Sequence, residues 1–148
     1  MLQEIKNLIF KTFSPKDCMG LFFSAFDANG KGLISNGVLE TDKPLETLLE
    51  LFYNGMLKNY ESNISGIVFD FVMNITPQQD INAFLQLSPK ENGVILTSMQ
   101  DGKTGILLPD TQGISTMQQA IACIKQKYQL AGNGTISTFS TKKITFQK

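Results

Sequence analysis

The chain has 148 residues, 42% of them hydrophobic and 18% charged, with 13 basic and 13 acidic side chains. That size and composition fit one globular domain that needs neither disulfide nor metal staples, and they exclude fibrous and disordered classes. Balanced charge, with no basic cluster beyond the tail Lys142, Lys143 and Lys148, gives no field for polyanions, so no nucleic-acid partner is expected.

Histidine is absent. This removes Ser-His-Asp and Cys-His nucleophile systems, the common zinc sites, and the side chain that titrates near neutrality unaided. Two distant cysteines, Cys18 and Cys123, read as thiols in a reducing cytosol. The opening MLQEIKNLIFKTF lacks a signal-peptide apolar core, and no apolar run reaches the ~18 residues of a membrane span. The expectation is a cytoplasmic protein, one domain over residues 1–148, with no membrane partner and no cofactor.

In chain order, Leu2, Ile5, Leu8, Ile9 and Phe13 recur at helical spacing, so 2–13 is predicted as an amphipathic helix that Ser14-Pro15 ends. MGLFFSAF, 19–26, is a short aromatic run and reads as a buried strand, and DANGKG, 27–32, as a turn. Thr41 to Pro44 supplies capping side chains and a first-turn proline for a helix over 44–59, carried by Leu45, Leu48, Leu49, Phe52 and Met56. ISGIVFDFVMNI, 64–75, alternates, with Ile67, Phe69, Phe71, Met73 and Ile75 on a core face and Asp70 and Asn74 opposite.

GVILTSM, 93–99, and KTGILL, 103–108, flank Gln100-Asp101-Gly102, a hairpin signal. Ser115 and Gln118 have capping-box spacing before a helix that ends near Leu130, where AGNG breaks it. TISTFSTKKITF, 135–146, reads as a last strand. About three helices flanking several strands imply an α+β fold with a mainly antiparallel sheet.

Residues that could carry chemistry mostly have a plainer reading. DANGKGLISNGV, 27–38, lines up with a calcium loop at Asp27, Asn29, Gly32, Ile34 and Ser35, yet Lys31 and Val38 stand where ligand oxygens belong, so calcium binding there is the third and least favoured reading beside a Gly/Asn-rich hairpin turn. GNGTIS, 132–137, lacks the third glycine and preceding strand of a dinucleotide fingerprint and reads as a helix-ending turn. Glu46 and Glu50 form a solvated helix face, Asp70 an exposed or hydrogen-bonded group, and Cys123 core packing. Lys16 is the sequence-local cation that could activate Cys18.

The order of pieces resembles the AMMECR family, protein A of the AmmeMemoRadiSam system. GLFFSAF leads to Lys31-Gly32-Leu33-Ile34-Ser35, where the family has a basic-Gly-Cys-Ile-Gly turn. Leu39-Glu40-Thr41-Asp42-Lys43-Pro44-Leu45 matches its Leu-Glu-x-x-x-Pro-Leu segment, and Gly105-Ile106-Leu107-Leu108-Pro109 its Gly-Leu-Leu-Leu-Pro segment. The resemblance implies an antiparallel α+β fold and, as partner, a Memo-like or radical SAM protein.

Leu33 replaces the motif cysteine and cannot act as nucleophile, redox group or metal ligand. The expectation is a binding module for a protein partner or small ligand. Its expected cleft is lined by Lys31, Gly32, Leu33, Ile34, Ser35 and Asn36 together with Pro109, Asp110 and Gln112. The alternative is an enzyme that pairs Asp70 or Asp110 with Lys31. Pro109 has a plainer reading as a strand stop.

Overall fold

A computed structural model describes residues 1–130 and 132–148; Ala131, first residue of the expected AGNG break, lies outside the described residues. The elements are α1 (Leu2–Ile9), β1 (Leu21–Phe26), β2 (Gly32–Val38), α2 (Leu45–Gly55), a 3-10 turn (Leu57–Tyr60), β3 (Gly66–Gln78), α3 (Ile81–Leu85), β4 (Gly93–Ser98), β5 (Thr104–Leu107), α4 (Met117–Tyr128) and β6 (Gly134–Gln147). The strands follow the order β2-β1-β3-β6-β4-β5, and β1 pairs antiparallel with β2 and β3, as does β4 with β5 and β6. The fold is therefore α+β with an antiparallel sheet. The chain divides into two compact units, Met1–Val72 with Lys142–Lys148, and Met73–Thr141.

In the first unit α1 is four residues shorter than its apolar periodicity predicts. Phe13 leaves the helix and packs on Phe71 with ring centroids 4.6 Å apart, an aromatic contact that a continued helix would forgo. The core collects Ile5, Ile9, Leu21, Phe23, Leu45, Phe52, Ile67 and Phe69, joined by Phe146 from the end of the chain.

No side chain caps α2; the N–H groups of Leu45 and Glu46 donate instead to the carbonyls of Asp17 (2.7 Å) and Pro15 (3.0 Å). Helix α2 ends at Gly55, and Met56, at φ −137° and ψ −61°, leads into the 3-10 turn. Glu46 and Glu50 are more than a solvated face: Lys6, only 11% exposed, places Nζ 2.5 Å from Glu50 Oε1 and 3.7 Å from Glu46 Oε1.

Strand β3 buries Ile67, Phe69 and Phe71 as predicted, but Asp70 between them is buried as well, and the alternation is lost beyond Phe71. Val72 is buried, whereas Met73 and Ile75 are 37% and 39% exposed. Asn74 sits at φ 56°, a left-handed conformation that asparagine tolerates and that resets which face the following side chains occupy.

In the second unit the core is Phe84, Val94, Leu96, Leu107, Met117, Ala120, Ile124 and Leu130. The hairpin of β4 and β5 forms as expected, with Gly102 at φ 70° in its turn. The cap of α4 lies one residue later than expected. Thr116 Oγ1 accepts the N–H of Gln119, and Gln119 Oε1 accepts the N–H of Ser115 at 2.8 Å. That is a capping-box arrangement one residue later than predicted, with the return bond landing on the residue before the N-cap. Helix α3, five residues capped by Asp80 Oδ1, is a fourth helix and was not predicted.

Candidate functional site

Asp27 organises the first candidate segment. Its Oδ1 accepts the N–H groups of Asn29 and Lys31, both at 2.9 Å, while its own N–H donates to the Lys31 carbonyl at 3.0 Å. The carboxylate thus closes a tight turn in which Gly30 takes φ 78°. Residues 32–38 then run extended as β2, so no chelating ring of a calcium loop is built.

Lys31 to Asn36 were expected as a turn; beyond Lys31 they form a strand instead. Register with the apolar β1 pairs Ile34 with Ala25, Ser35 with Ser24 and Asn36 with Phe23, and this pairing overrides the turn preference of Ser and Asn. Gly37 is required there, because a Cβ would stand 2.4 Å from the Phe22 ring and 2.6 Å from the Leu21 carbonyl oxygen.

The direction of the backbone along β2 follows from the ladder. Val72 donates to the Gly20 carbonyl at 2.9 Å, so even-numbered residues of β1 turn their backbone groups to β3 and odd-numbered ones to β2. Through the register, Ile34, Asn36 and Val38 face β1, and Ser35 and Gly37 turn their N–H and C=O groups outward. Asn36 Oδ1 accepts the outward N–H of Gly37 at 2.7 Å. Ser35 Oγ donates to Ser24 Oγ at 2.8 Å, and Leu33 and Ile34 pack partly against the core.

Asp70 is 9% exposed and carries an ion pair at 3.5 Å with Lys143, not with Lys31. It pairs with Phe22, four positions from the Phe26–Gly32 pair that adjoins Lys31, or roughly 13 Å along the strand. Cys18 is exposed and lies within 3.5 Å of the Asp42 carbonyl.

Two groups are displaced, both away from neutrality. Tyr53 donates to Glu61 at 2.6 Å, and that bond, with burial and the carboxylate's charge, raises its pKa above the ordinary 10.0. The exposed Asp101 is held below the usual carboxylate range, first by the N–H of Lys103.

A raised tyrosine pKa stabilises the fold below pH 10 and loses that contribution as pH climbs through the folded value. The stability advantage of the native chain over Tyr53→Phe is therefore expected to be constant below pH 10 and to shrink as pH is raised above it, measured by urea midpoints. An advantage that stays constant above it would show that the Glu61 bond does not hold the proton.

The second segment lies in the second unit. Pro109 stands two residues beyond Leu107, the last residue of β5, where a strand stop is tolerated. Asp110, at φ 59°, donates its N–H to the Pro89 carbonyl at 3.0 Å, Thr111 Oγ1 donates to the Leu108 carbonyl at 2.7 Å, and Gln112 is exposed. The GILLP motif has its structural reason at its first residue. A Cβ on Gly105 would meet Ile124 Cγ2 at 2.4 Å and the Tyr128 ring at 2.7 Å, so glycine is what lets α4 lie on β5.

Two recesses of this unit were not foreseen. One of about 420 Å³ is lined by apolar Ile81, Leu85, Leu96, Ile121 and Ile136 and by polar Gln118, Lys125 and Asn133. Another of about 570 Å³ shares Ile81, Gly134 and Ile136 with it and adds Pro77, Gln78 and Phe84. Gly134 cannot carry a side chain, since a Cβ would fall 2.2 Å from the Thr97 carbonyl oxygen. One signal was legible: Gln118, Ile121, Ala122 and Lys125 follow i, i+3, i+4, i+7 spacing and share one helix face. Periodicity could not say that this face borders a cavity.

No family model and no curated protein match the chain at a significant level. Among solved structures, the crystal structure of uncharacterised protein PH0010 from Pyrococcus horikoshii matches with a TM-score of 0.73. It is 14% identical and aligned over 97% of this chain and 88% of that one, a likeness of fold alone. Among the described residues no helix is long and apolar enough to cross a membrane.

Proposed function

We propose that this chain is an AMMECR-like binding module without catalytic chemistry, which captures an extended segment of a partner protein along the outer edge of β2. The observation that carries this is the edge itself. Among the described residues β2 has one strand neighbour, β1, and the outward groups of Ser35 and Gly37 are a template for an added strand. Natural edges are usually blunted with charge or proline, yet Gly32 to Leu39 contains neither.

Charge marks both ends of the run, with Lys31 before it and Glu40 after it. The occupant supported by this pattern is an uncharged extended segment flanked by an acid to meet Lys31 and a base to meet Glu40. Asn36 Oδ1 holds the N–H of Gly37 where a partner carbonyl would bind, a placeholder that the incoming strand displaces. The family resemblance names the candidates, a Memo-like or a radical SAM protein.

Ser35→Pro removes an outward donor and no ladder bond to β1, so the fold tolerates it while strand addition does not. Titration of a Memo-like and a radical SAM protein of the same system against the native chain, Ser35→Ala and Ser35→Pro is the test. One of the two is expected to bind the native chain and Ser35→Ala, and Ser35→Pro at least tenfold more weakly at an unchanged thermal midpoint. Equal binding by Ser35→Pro would remove β2 from the interface. Self-association of the native chain lost in Ser35→Pro would replace the partner by a second copy.

A further inference from the structure

The geometry points to a second, separate binding function: the recess beside α4 in the second unit takes a small organic carboxylate with an apolar body. Its volume, about 420 Å³, lies in the range of small-molecule sites. The chemistry of its lining is asymmetric. Five of its side chains are branched aliphatics, and Lys125 is its one charged group, with no acidic residue among the lining.

Lys125 has no ion-pair partner among the described residues, whereas the buried Lys6 of the first unit holds two carboxylates. Gln118 and Asn133 add amide donors for the second carboxylate oxygen. The apolar body has a place prepared for it. Ile81 is 52% exposed, and it borders both this recess and the adjoining one of about 570 Å³, so a ligand bound here covers a branched side chain that otherwise faces water.

The glycines keep the recess open: Gly134 has no room for a Cβ, and Gly132 takes φ 76°. Lysine engages a carboxylate as a point charge, so selectivity falls on charge and apolar length more than on head-group shape. This site shares no residue with β2, and neither proposal depends on the other.

The test is calorimetric titration of the full chain with octanoate and, as an uncharged counterpart of the same length, octanamide. Octanoate is expected to bind saturably and about tenfold more tightly than the amide, the worth of one charge-assisted hydrogen bond. Lys125→Gln should bring the acid down to the affinity of the amide, and Lys125→Arg should restore most of the difference. Ile136→Ala should weaken both probes alike.

No saturable heat from either probe at millimolar concentration would overturn the site. Equal affinity for acid and amide, or an acid preference that survives Lys125→Gln, would overturn the carboxylate assignment. Because Lys125 is a partly exposed helix residue, Lys125→Gln is expected to melt within a degree of the native chain, which keeps the binding result readable.

Discussion

Phe84→Ala is expected to lower stability by about 3–5 kcal/mol, a large share of the roughly 5–15 kcal/mol that a domain of this kind possesses. Phe84 is 0% exposed, and it sits on the five-residue α3. A helix that short has no stability of its own in water, so docking of this one aromatic side chain, with the Asp80 cap, must supply most of what holds it. Loss of the ring leaves a cavity in the second core and frees the segment that carries Ile81 between the two recesses.

Urea midpoints at constant m-value are the measurement. Ile81→Ala, at a site already half exposed, serves as the comparison and should change stability by less than ~0.5 kcal/mol. If Phe84→Ala cost less than 1 kcal/mol, α3 would not be a fixed part of the fold, and the octanoate site would lose one wall.

Gly20→Ala is expected to cost about 3 kcal/mol, the upper end for an overpacked position. A Cβ there would stand 2.0 Å from the Leu39 carbonyl oxygen and 2.8 Å from that of Val38. Both are backbone atoms, so no rotamer change can relieve the contact. The position is clamped from the other side as well, because the Gly20 carbonyl accepts the N–H of Val72 at 2.9 Å.

In a chain of this length the loss corresponds to roughly 10 °C in melting temperature. The same substitution at Gly55 meets nothing within 4 Å and should be close to neutral or stabilising. A midpoint for Gly20→Ala within 2 °C of the native chain would mean that β2 can move away from β1 at little cost.

Much of the architecture was written in periodicity. Leu45, Leu48, Leu49 and Phe52 announced α2, Asp101-Gly102 the hairpin, and the Thr- and Ile-rich tail β6, and each is present. What failed did so where tertiary contacts outweigh local preference. Phe13 chose Phe71 over another helical turn, Asn74 switched the faces of β3 from within the strand, and Gly32 to Asn36 pair with β1 despite their turn chemistry. Helix α3 is too short for any periodic window, and its one local signal was a capping aspartate.

The motifs that carry the family resemblance have packing reasons of their own. Gly105 admits α4, Pro44 precedes α2 with extended backbone, and Leu45 is 0% exposed in the first core. The site was less legible than the fold, because a cavity is a property of several elements at once. Lys125 looked like one more lysine on a helix until Leu96, Ile136 and Ile81 were brought around it.

The two units also differ in how the ribosome must deliver them. Met73–Thr141 is a continuous stretch, complete once its last residue emerges, whereas the first unit lacks its final pieces until Lys142–Lys148 have been made. Phe146 is one of the buried side chains of that first core, and the N–H of Lys148 donates to the Ser65 carbonyl at 3.0 Å. The aromatic strand Leu21–Phe26 is therefore translated early and waits, incompletely covered, through synthesis of the whole second unit. The nascent chain thus carries an apolar, aromatic strand incompletely covered until its last residues are made, and the unit translated first is the last to close.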